Sequence, residues 1–341
     1  MKDLVIHFYT DYGVVEAIDQ VNLGVNRGEV VGLIGESGCG KTTTARAILG
    51  VVPSPPGKIL EGEILFEGQD LLKMERRKFN SLIRGKAITL IPQDPFNSFN
   101  PLFTVGTQIM DIVKWKIFPS HPDGGNRSET RKEMRSENVV TMLKQMQIPS
   151  PERQLGKYPH EFSGGQRQRI MIAMALLSHP SLIIADEPTT ALDVTIEAQI
   201  LQLLRQLVTE FEVSVLYITH DLGVASQICD RVVIMYAGQV MEIAPIASFF
   251  AKPLHPYTRK LLDSLPNPKG TITDIPGEVP SLIKPPPGCR FCTRCEFVES
   301  KCWQERPVIE EIFPDHWVCC FHPIIGSPGL SAEDDLIDGR D

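Results

Sequence analysis

One glycine-rich string constrains what this chain can fold into more than any other feature of its sequence. Gly35–Thr42 (GESGCGKT) follows the short apolar run Val30–Ile34 and precedes a run of helical character that starts near Thr43. Glycines allow a tight turn in which backbone amides point inward, and the N-terminus of a following helix adds partial positive charge. The pattern predicts a phosphate-binding loop (P-loop) between a strand and a helix.

Two side chains of this loop are expected to contact phosphate or its metal ion. Lys41 is placed to hold the β- and γ-phosphates, and the Thr42 hydroxyl is placed to ligate Mg²⁺. Cys39 lies where a helix N-terminus could lower a thiol pKa, although a small residue tolerated in the loop explains it as well. The residues predicted here to bind the nucleotide are Gly35, Glu36, Ser37, Gly38, Cys39, Gly40, Lys41, Thr42 and Thr43.

The rest of the chain up to about Ile243 alternates β-rich runs with amphipathic helical stretches. This is the pattern of an α/β domain with a largely parallel sheet. Residues Val194–Phe211 predict a helix with Asp193 as its N-cap. Four short apolar runs predict strands covered on both faces: Val30–Ile34, Ala87–Ile91, Leu182–Ala185 and Val213–Thr219.

Composition divides the chain into regions. The stretch 97–165 predicts a helical insertion, interrupted by the polar segment His121–Asn126. After Ile243 the composition shifts, since 13 of the 27 prolines lie between Pro253 and Pro328. We therefore expect one nucleotide-binding domain over 1–245, a C-terminal extension over 246–326 and a disordered acidic tail over 327–341.

A second string supplies acidic groups for the same site. Ser181–Pro188 (SLIIADEP) reads as an apolar strand that ends in Asp186 and Glu187. Asp186 is placed to bind Mg²⁺, and Glu187 is the expected general base for an attacking water. Alone, this string would be a strand end with two solvated acids, but a neighbouring P-loop favours the catalytic interpretation.

A third string resembles another phosphate site. Phe162–Arg169 (FSGGQRQR) opens a helical run, and Ser163 Oγ with the amides of Gly164 and Gly165 forms an anion site. One P-loop already satisfies one nucleotide. We therefore interpret Ser163–Gln166 as serving a nucleotide held by a second subunit; a simple helix cap is the alternative.

These strings occur in an order that resembles the nucleotide-binding subunits of ABC transporters. The ordered motifs are the P-loop at 35–42, Gln93 in IPQDP, SGGQ at 163–166, the acidic strand at 182–187, Asp193 in ALD and His220 in ITHD. The resemblance implies a P-loop NTPase of ABC type with a mainly parallel core sheet, an antiparallel β subdomain and a helical subdomain. It also implies a head-to-tail dimer that encloses ATP between one subunit's P-loop and the other's Ser163–Gln166.

The resemblance assigns roles to further residues. Gln93 contacts Mg²⁺ and senses the permease, His220 holds the γ-phosphate, and Asp193 couples the two ATP sites. Tyr12 resembles the aromatic residue that stacks on adenine, with Tyr9 as the rival. Glu187, His220, Lys41 and Gln93 form the expected catalytic set, and Thr42, Gln93 and Asp186 the expected Mg²⁺ ligands.

The C-terminal part narrows the resemblance to the oligopeptide/dipeptide importer ATPases. Asn100–Ile109, His255–Leu262 (HPYTRKLL) and Pro287–Cys295 resemble segments of that family. The resemblance implies peptide import, with nickel or sugars as alternative cargoes. It implies three kinds of partner: a second ATPase subunit, with a paralogue favoured over a second copy; two transmembrane permease subunits; and an extracytoplasmic binding protein. A soluble ABC-type ATPase acting on ribosomes or DNA is the competing hypothesis.

Charge and hydropathy restrict the location of the chain. With 34 Lys+Arg and 42 Asp+Glu the formal charge is −8, which gives no reason to expect nucleic-acid binding. No apolar run approaches the roughly 18–20 residues of a membrane span, and Met1–Thr10 is too short and charged for a signal peptide. Together with the resemblance, this predicts a peripheral protein at the cytoplasmic face of the plasma (inner) membrane.

Six of the eight cysteines fall between Cys289 and Cys320, which favours a metal site. From spacing alone, the run 289, 292, 295 resembles a ferredoxin string that lacks its next cysteine. The family resemblance instead implies a [4Fe–4S] cluster on Cys289, Cys295, Cys302 and Cys320, leaving Cys292 and Cys319 as extras. Zinc suits four thiolates equally, and free or packed thiols are the remaining alternative. Either metal would be a structural staple for this proline-rich segment.

Overall fold

The computed structural model describes residues 1–117, 128–190, 192–265 and 274–325, and in these ranges the strands form three sheets. The strands are β1 (Lys2–Thr10), β2 (Gly13–Val21), β3 (Val30–Ile34), β4 (Gly57–Glu63), β5 (Leu65–Phe66), β6 (Gln69–Asp70), β7 (Ile88–Ile91), β8 (Leu182–Asp186), β9 (Ser214–Thr219), β10 (Arg231–Tyr236), β11 (Gln239–Pro245), β12 (Glu310–Phe313) and β13 (His316–Val318).

The helices surround the largest of these sheets. They are α1 (Lys41–Ile48), α2 (Arg76–Lys78), α3 (Pro95–Ser98), α4 (Val105–Ile112), α5 (Ser128–Gln145), α6 (Pro151–Gln154), α7 (Gly164–Leu176), α8 (Val194–Phe211), α9 (Leu222–Ile228), α10 (Ile246–Ala251), α11 (Pro256–Asp263) and α12 (Ser300–Gln304). Single turns of 3₁₀ helix lie at Pro159–Glu161 and Cys292–Arg294, and π-helical turns at Phe79–Ile83 and Val113–Ile117.

The core sheet runs in the order β12-β13-β11-β10-β3-β9-β8-β7. Five neighbouring strands, from β10 to β7, are parallel, and β11, β13 and β12 continue the sheet antiparallel. The predicted mainly parallel sheet is confirmed, and its strands begin or end within one residue of the predicted limits. Every residue of β3 and β9 is buried, as expected of strands covered on both faces.

Strand order explains where a ligand can bind. Although β3 precedes β8 along the chain by about 150 residues, β9 alone separates them in the sheet. The loops that leave the carboxyl ends of β3 and β8 therefore lie close together, at the edge where open α/β sheets bind ligands.

A separate three-stranded antiparallel sheet, β2-β1-β4, corresponds to the predicted β subdomain. Its β1–β2 hairpin turns at Asp11 and Tyr12. Helices α3 to α6 lie between β7 and α7 in the chain and make up the described part of the predicted helical insertion. The polar segment His121–Asn126 falls outside the described residues.

The C-terminal extension joins the core sheet, which was not predicted. β13 pairs with β11 through Glu242↔Val318 and Ile243↔Trp317, and β12 pairs with β13. The rest of the described extension contains short helices and irregular chain, as its proline content predicts. The acidic tail over 327–341 and Ala191 lie outside the described residues. No helix in the described ranges has the length and apolar character that crossing a membrane requires.

Candidate active site

A pocket lies at the carboxyl ends of β3 and β8, and we call it the P-loop pocket. Most of its lining residues were predicted from sequence, including all four predicted catalytic residues. Its lining residues are Ala17, Ile34, Gly35, Glu36, Ser37, Gly38, Gly40, Lys41, Thr42, Thr43, Gln93, Glu187, His220 and Leu261.

The glycines of the loop are required by close approach and by backbone conformation. Gly35 lies so near the neighbouring strand that a Cβ atom there would be 2.1 Å from the Met235 carbonyl oxygen. Gly40 has φ +110° at the N-cap of α1, a left-handed conformation that disfavours other residues. Helix α1 begins at Lys41, two residues earlier than expected, so the first amides of the helix belong to the loop itself.

Lys41 is buried and bound to its own loop. Its Nζ donates to the carbonyl oxygens of Gly35 at 2.6 Å and of Glu36 at 3.1 Å. This arrangement holds a positive charge inside the loop, where phosphate oxygens are expected to bind.

Thr42 lines the pocket and is hydrogen-bonded to Asp186, which is not itself a lining residue. Burial raises the pKa of the Asp186 carboxyl, and Glu187 raises it further, while a hydrogen bond from the Thr42 hydroxyl lowers it. Both groups carry oxygen atoms that suit Mg²⁺, and a bound cation would oppose the effect of burial on Asp186. The chemistry of these donors fits the predicted magnesium ion.

Glu187 is the centre of a hydrogen-bonded group of side chains. Its carboxylate accepts from Gln93 Nε2 at 2.9 Å and lies 3.0 Å from His220 Nδ1, and Thr190 Oγ1 is 3.3 Å away. Glu187 has φ +45°, an uncommon conformation for a non-glycine residue, directly after the end of β8. The structure thus brings together Gln93, Glu187 and His220, three of the four predicted catalytic residues, beside Lys41.

Ser163 lies outside the P-loop pocket of its own chain. It is exposed at the N-terminus of α7, where Ser163 Oγ accepts from the Gln166 amide and the Gln166 side chain accepts from the Ser163 amide. Gly165 has a methyl group of Ile196 2.8 Å from its Cβ position, so a larger residue would force the Ile196 side chain to move. The helix cap exists, and the open face of Ser163–Gln166 is available to another molecule.

Three further predicted residues do not line the pocket. Tyr12 is 90% exposed in the β1–β2 turn, and Tyr9 is 49% exposed nearby. Asp193 caps α8 by accepting from the Ile196 amide, as predicted. Cys39 is buried beneath the loop, and this burial raises its thiol pKa, which argues against a reactive thiolate.

Besides Ile34, which ends the predicted strand before the loop, two lining residues were missed. Leu261 lies on α11, in the C-terminal extension, and Ala17 lies on β2. Both are apolar residues without a motif, and only the fold brings them to the loop.

Five cysteines line a second, small cavity, which we call the cysteine cavity. They are the four predicted cluster ligands and one predicted extra: Cys289, Cys292, Cys295, Cys302 and Cys320. The remaining extra, Cys319, donates its thiol hydrogen to the Pro307 carbonyl oxygen. Burial raises the pKa of Cys289 to about 12 and of Cys320 to about 11.

Two observations bear on whether a metal group fits this cavity, one against it and one in favour. Within the described ranges, no three or more His, Cys, Asp or Glu side chains are grouped so that they could hold a metal ion. His255, however, also lines the cavity, and its Nδ1 accepts from the Tyr257 amide. The neutral ring then carries its proton on Nε2, which is buried and has no hydrogen-bond partner among the described residues. A sulfur anion in the cavity would satisfy this donor, so the chemistry of the lining favours such a group while the spacing of the thiols does not.

Comparison with known proteins decides the family. A family model of ABC transporters matches residues 18–190, and a model of the oligopeptide/dipeptide transporter C-terminal region matches residues 241–302. The chain belongs to the ATP-binding proteins of oligopeptide/dipeptide ABC transporters. It is 44% identical to a probable peptide ABC transporter ATP-binding protein of Sinorhizobium fredii, over 94% of this chain and 93% of that protein. It is 42% identical to the oligopeptide transport ATP-binding protein OppD of Bacillus subtilis, over 93% and 87%.

A solved structure supports the ABC-type fold of the chain. The chain resembles the dimeric post-hydrolysis state of the ATP-binding cassette MJ0796 bound to ADP and phosphate, with a TM-score of 0.60 and 28% identity. The match covers 72% of this chain and 97% of that one. The ABC-type fold is confirmed, and this family member is an ATPase.

Proposed function

We propose that this chain is the ATP-hydrolysing subunit of an importer for di- and oligopeptides. The proposal is supported by the names of relatives that match nearly the whole chain, OppD of Bacillus subtilis among them. The observation that carries it is the separation of two phosphate-binding elements. The P-loop and Glu187 line one pocket, while Ser163 is exposed elsewhere on the same chain.

The contacts of the P-loop pocket suggest how its residues divide the work. Lys41 holds the β- and γ-phosphates, and Thr42, Asp186 and Gln93 hold Mg²⁺, which neutralises phosphate charge when bound. Glu187 orients a water molecule and accepts its proton. Gln93 contacts one carboxylate oxygen of Glu187 and His220 contacts the other, so together they fix the direction of that carboxylate.

The second half of the ATP site is assigned to another ATPase subunit. In a head-to-tail pair, Ser163 Oγ and the amides of Gly164 and Gly165 face the γ-phosphate held by the partner. Asp193 caps α8, and its neighbours Leu192 and Ile196 lie against Gly164 and Gly165, so we assign to Asp193 the coupling of the two sites. Tyr12, whose ring is almost fully exposed, stacks on adenine.

The expected partners place the chain at the cytoplasmic face of the plasma membrane. They are a paralogous ATPase subunit, two permease subunits and, indirectly, an extracytoplasmic binding protein. Purifying the tagged chain from native membranes in mild detergent tests this assembly. Co-purification of two multi-span proteins and stimulation of ATP hydrolysis by a peptide-loaded binding protein are expected. Co-sedimentation with ribosomes, without membrane proteins, would contradict the proposal.

We further propose that Cys289, Cys295, Cys302 and Cys320 hold a [4Fe–4S] cluster, with zinc as the alternative. The support is the gathering of these thiols on one cavity beside the unpartnered Nε2 of His255. The cluster would anchor an extension that begins after β11 ends at Pro245, and we propose residues 246–326 as that unit.

The cluster proposal is tested by the as-purified protein under anaerobic conditions. Bound iron and absorbance near ~400 nm are expected. They should be lost in Cys302→Ser and retained in the matched control Cys319→Ser, because Cys319 bonds to Pro307 instead. Colourless, iron-free protein would reject the cluster, and stoichiometric zinc would select the alternative.

A further inference from the structure

Three polar groups of Glu36, the second residue of the P-loop, form hydrogen bonds with other residues. Its backbone N–H donates to the Tyr257 hydroxyl at 3.1 Å, and its carboxylate accepts from Arg294 Nη1 at 2.8 Å. Its carbonyl oxygen accepts from Lys41 Nζ. Tyr257 and Arg294 lie 221 and 258 residues further along the chain, so the C-terminal extension contacts the loop directly.

Arg294 is itself fixed in place. Its side chain is 5% exposed. Nε and Nη2 donate to the carbonyl oxygens of Pro276 and Ile275 at 3.0 and 2.9 Å, and Nη1 also donates to the Tyr236 hydroxyl at 3.2 Å. A planar guanidinium with partners on all three nitrogens has one orientation, so it presents a fixed charge to Glu36.

Tyr257 is equally restrained. It is fully buried, and its ring centroid lies 4.7 Å from that of Tyr236 and 5.3 Å from that of Phe291. Tyr257 belongs to α11, and Leu261, one turn further along this helix, lines the P-loop pocket. The same helix therefore contacts the loop backbone and forms part of the pocket wall.

These contacts matter because the loop is intrinsically flexible. Glycine-rich backbone loses much conformational entropy when it is ordered. In the structure Lys41 ties the loop together, but Lys41 is also the residue expected to bind phosphate. Once Lys41 turns toward phosphate, Tyr257 and Arg294 still hold Glu36.

We propose that Arg294 and Tyr257 are positioning residues for ATP binding, acting through Glu36 to keep the P-loop in its phosphate-binding shape. The inference rests on ATP binding at this loop and assumes nothing about the cargo. Preorganisation lowers the entropic cost of binding, so it affects affinity more than the chemical step. Loss of either contact should therefore raise KM for ATP and leave kcat nearly unchanged.

Arg294→Gln in the full chain is the main test. We expect its affinity for MgATP, measured by calorimetry, to fall about tenfold, which corresponds to 1.4 kcal/mol. In the purified membrane complex KM should rise by a similar factor while kcat stays within about twofold. The matched control is Arg259→Gln on α11, where the arginine is 41% exposed and lies 3.9 Å from Asp263. Its affinity should be unchanged.

Two more variants separate positioning from general stability. Tyr257→Phe keeps the packed ring and removes only the acceptor for the Glu36 amide, so it should fold and bind ATP several-fold more weakly. The double variant Arg294→Gln with Glu36→Gln should bind no more weakly than either single variant, because both remove one interaction.

Three results would overturn the inference: additive effects in the double variant, unchanged ATP affinity in Tyr257→Phe, or a lowered kcat with unchanged KM. A failure of the unmodified chain to bind ATP would instead overturn the proposed function. If Arg294→Gln does not fold, Tyr257→Phe decides the question.

Discussion

The P-loop pocket and the cysteine cavity differ in how far this chain completes them. The P-loop pocket is large and contains four predicted catalytic residues, and the exposed Ser163 proposed to complete such a site lies elsewhere on the surface. The cysteine cavity is much smaller and is lined by five thiols from one segment. Leu261 on helix α11 lines the P-loop pocket, and His255, the residue before this helix, lines the cysteine cavity. On the proposed function, this difference means that catalysis needs a second molecule, whereas the extension needs only its own residues and any group they bind.

The largest expected effect removes the proposed base from the P-loop pocket. Glu187→Gln keeps the hydrogen bonds to Gln93 and His220 possible but cannot accept a proton. Turnover should fall by roughly 10²–10⁴ while ATP binding persists. Steady-state hydrolysis and equilibrium ATP binding are the two measurements. Near-normal turnover would mean that another group accepts the proton.

A smaller effect tests whether the pocket is incomplete. Ser163→Asp keeps an N-cap residue on α7 but places a carboxylate on the face assigned to the partner's γ-phosphate. Hydrolysis should fall at least about tenfold, the penalty of roughly 1.4 kcal/mol for like charges at close range. Binding of ATP to the chain's own P-loop should not change.

The control for this variant is Ser163→Asn, which caps the helix without adding charge. It also removes the Ser163 hydroxyl, so it should lose some activity, but less than Ser163→Asp. Equal activity in Ser163→Asp and the unmodified complex would mean that the P-loop pocket needs no second molecule. The proposed difference between this pocket and the cysteine cavity would then be wrong.

The smallest effect concerns the cysteine cavity and pH. Burial lowers the pKa of His255 to about 4 from 6.5, so the unfolded chain binds more protons between these values. Stability should therefore be lost as pH falls from 6.5 to 4, by at most about 3 kcal/mol. His255→Asn, which preserves the cap of α11, should flatten the dependence of Tm on pH in this window. His160→Asn, at an exposed position, should not.

Much of the nucleotide site could be predicted because its parts are local. The loop needs glycines at fixed positions, and β8 needs an apolar run before its acids. Asp193 was identified as an N-cap from its place before a helical pattern, and the structure places it there. Helix α8 has the predicted limits, Val194–Phe211, since its apolar residues recur at helical spacing.

The remaining features depend on contacts between distant segments. Strand β13 pairs with β11 across about 75 residues, and the run His316–Val318 is too short to predict a strand. Arg294 looks like a spacer between cysteines until the fold brings it to Glu36. For Cys39 the sequence left an activated thiol as an alternative to a small residue tolerated in the loop, and burial, which raises the thiol pKa, argues against the activated thiol.

Trapping vanadate with ADP in the purified membrane complex tests the central claim most directly. Vanadate takes the place of the γ-phosphate, and near-ultraviolet light then cleaves the backbone at residues in contact with it. We expect mass spectrometry to find cleavage of this chain at Ser163 as well as within Gly35–Thr42, because Ser163 contacts the nucleotide of the neighbouring subunit. Cleavage confined to Gly35–Thr42 would contradict a shared ATP site.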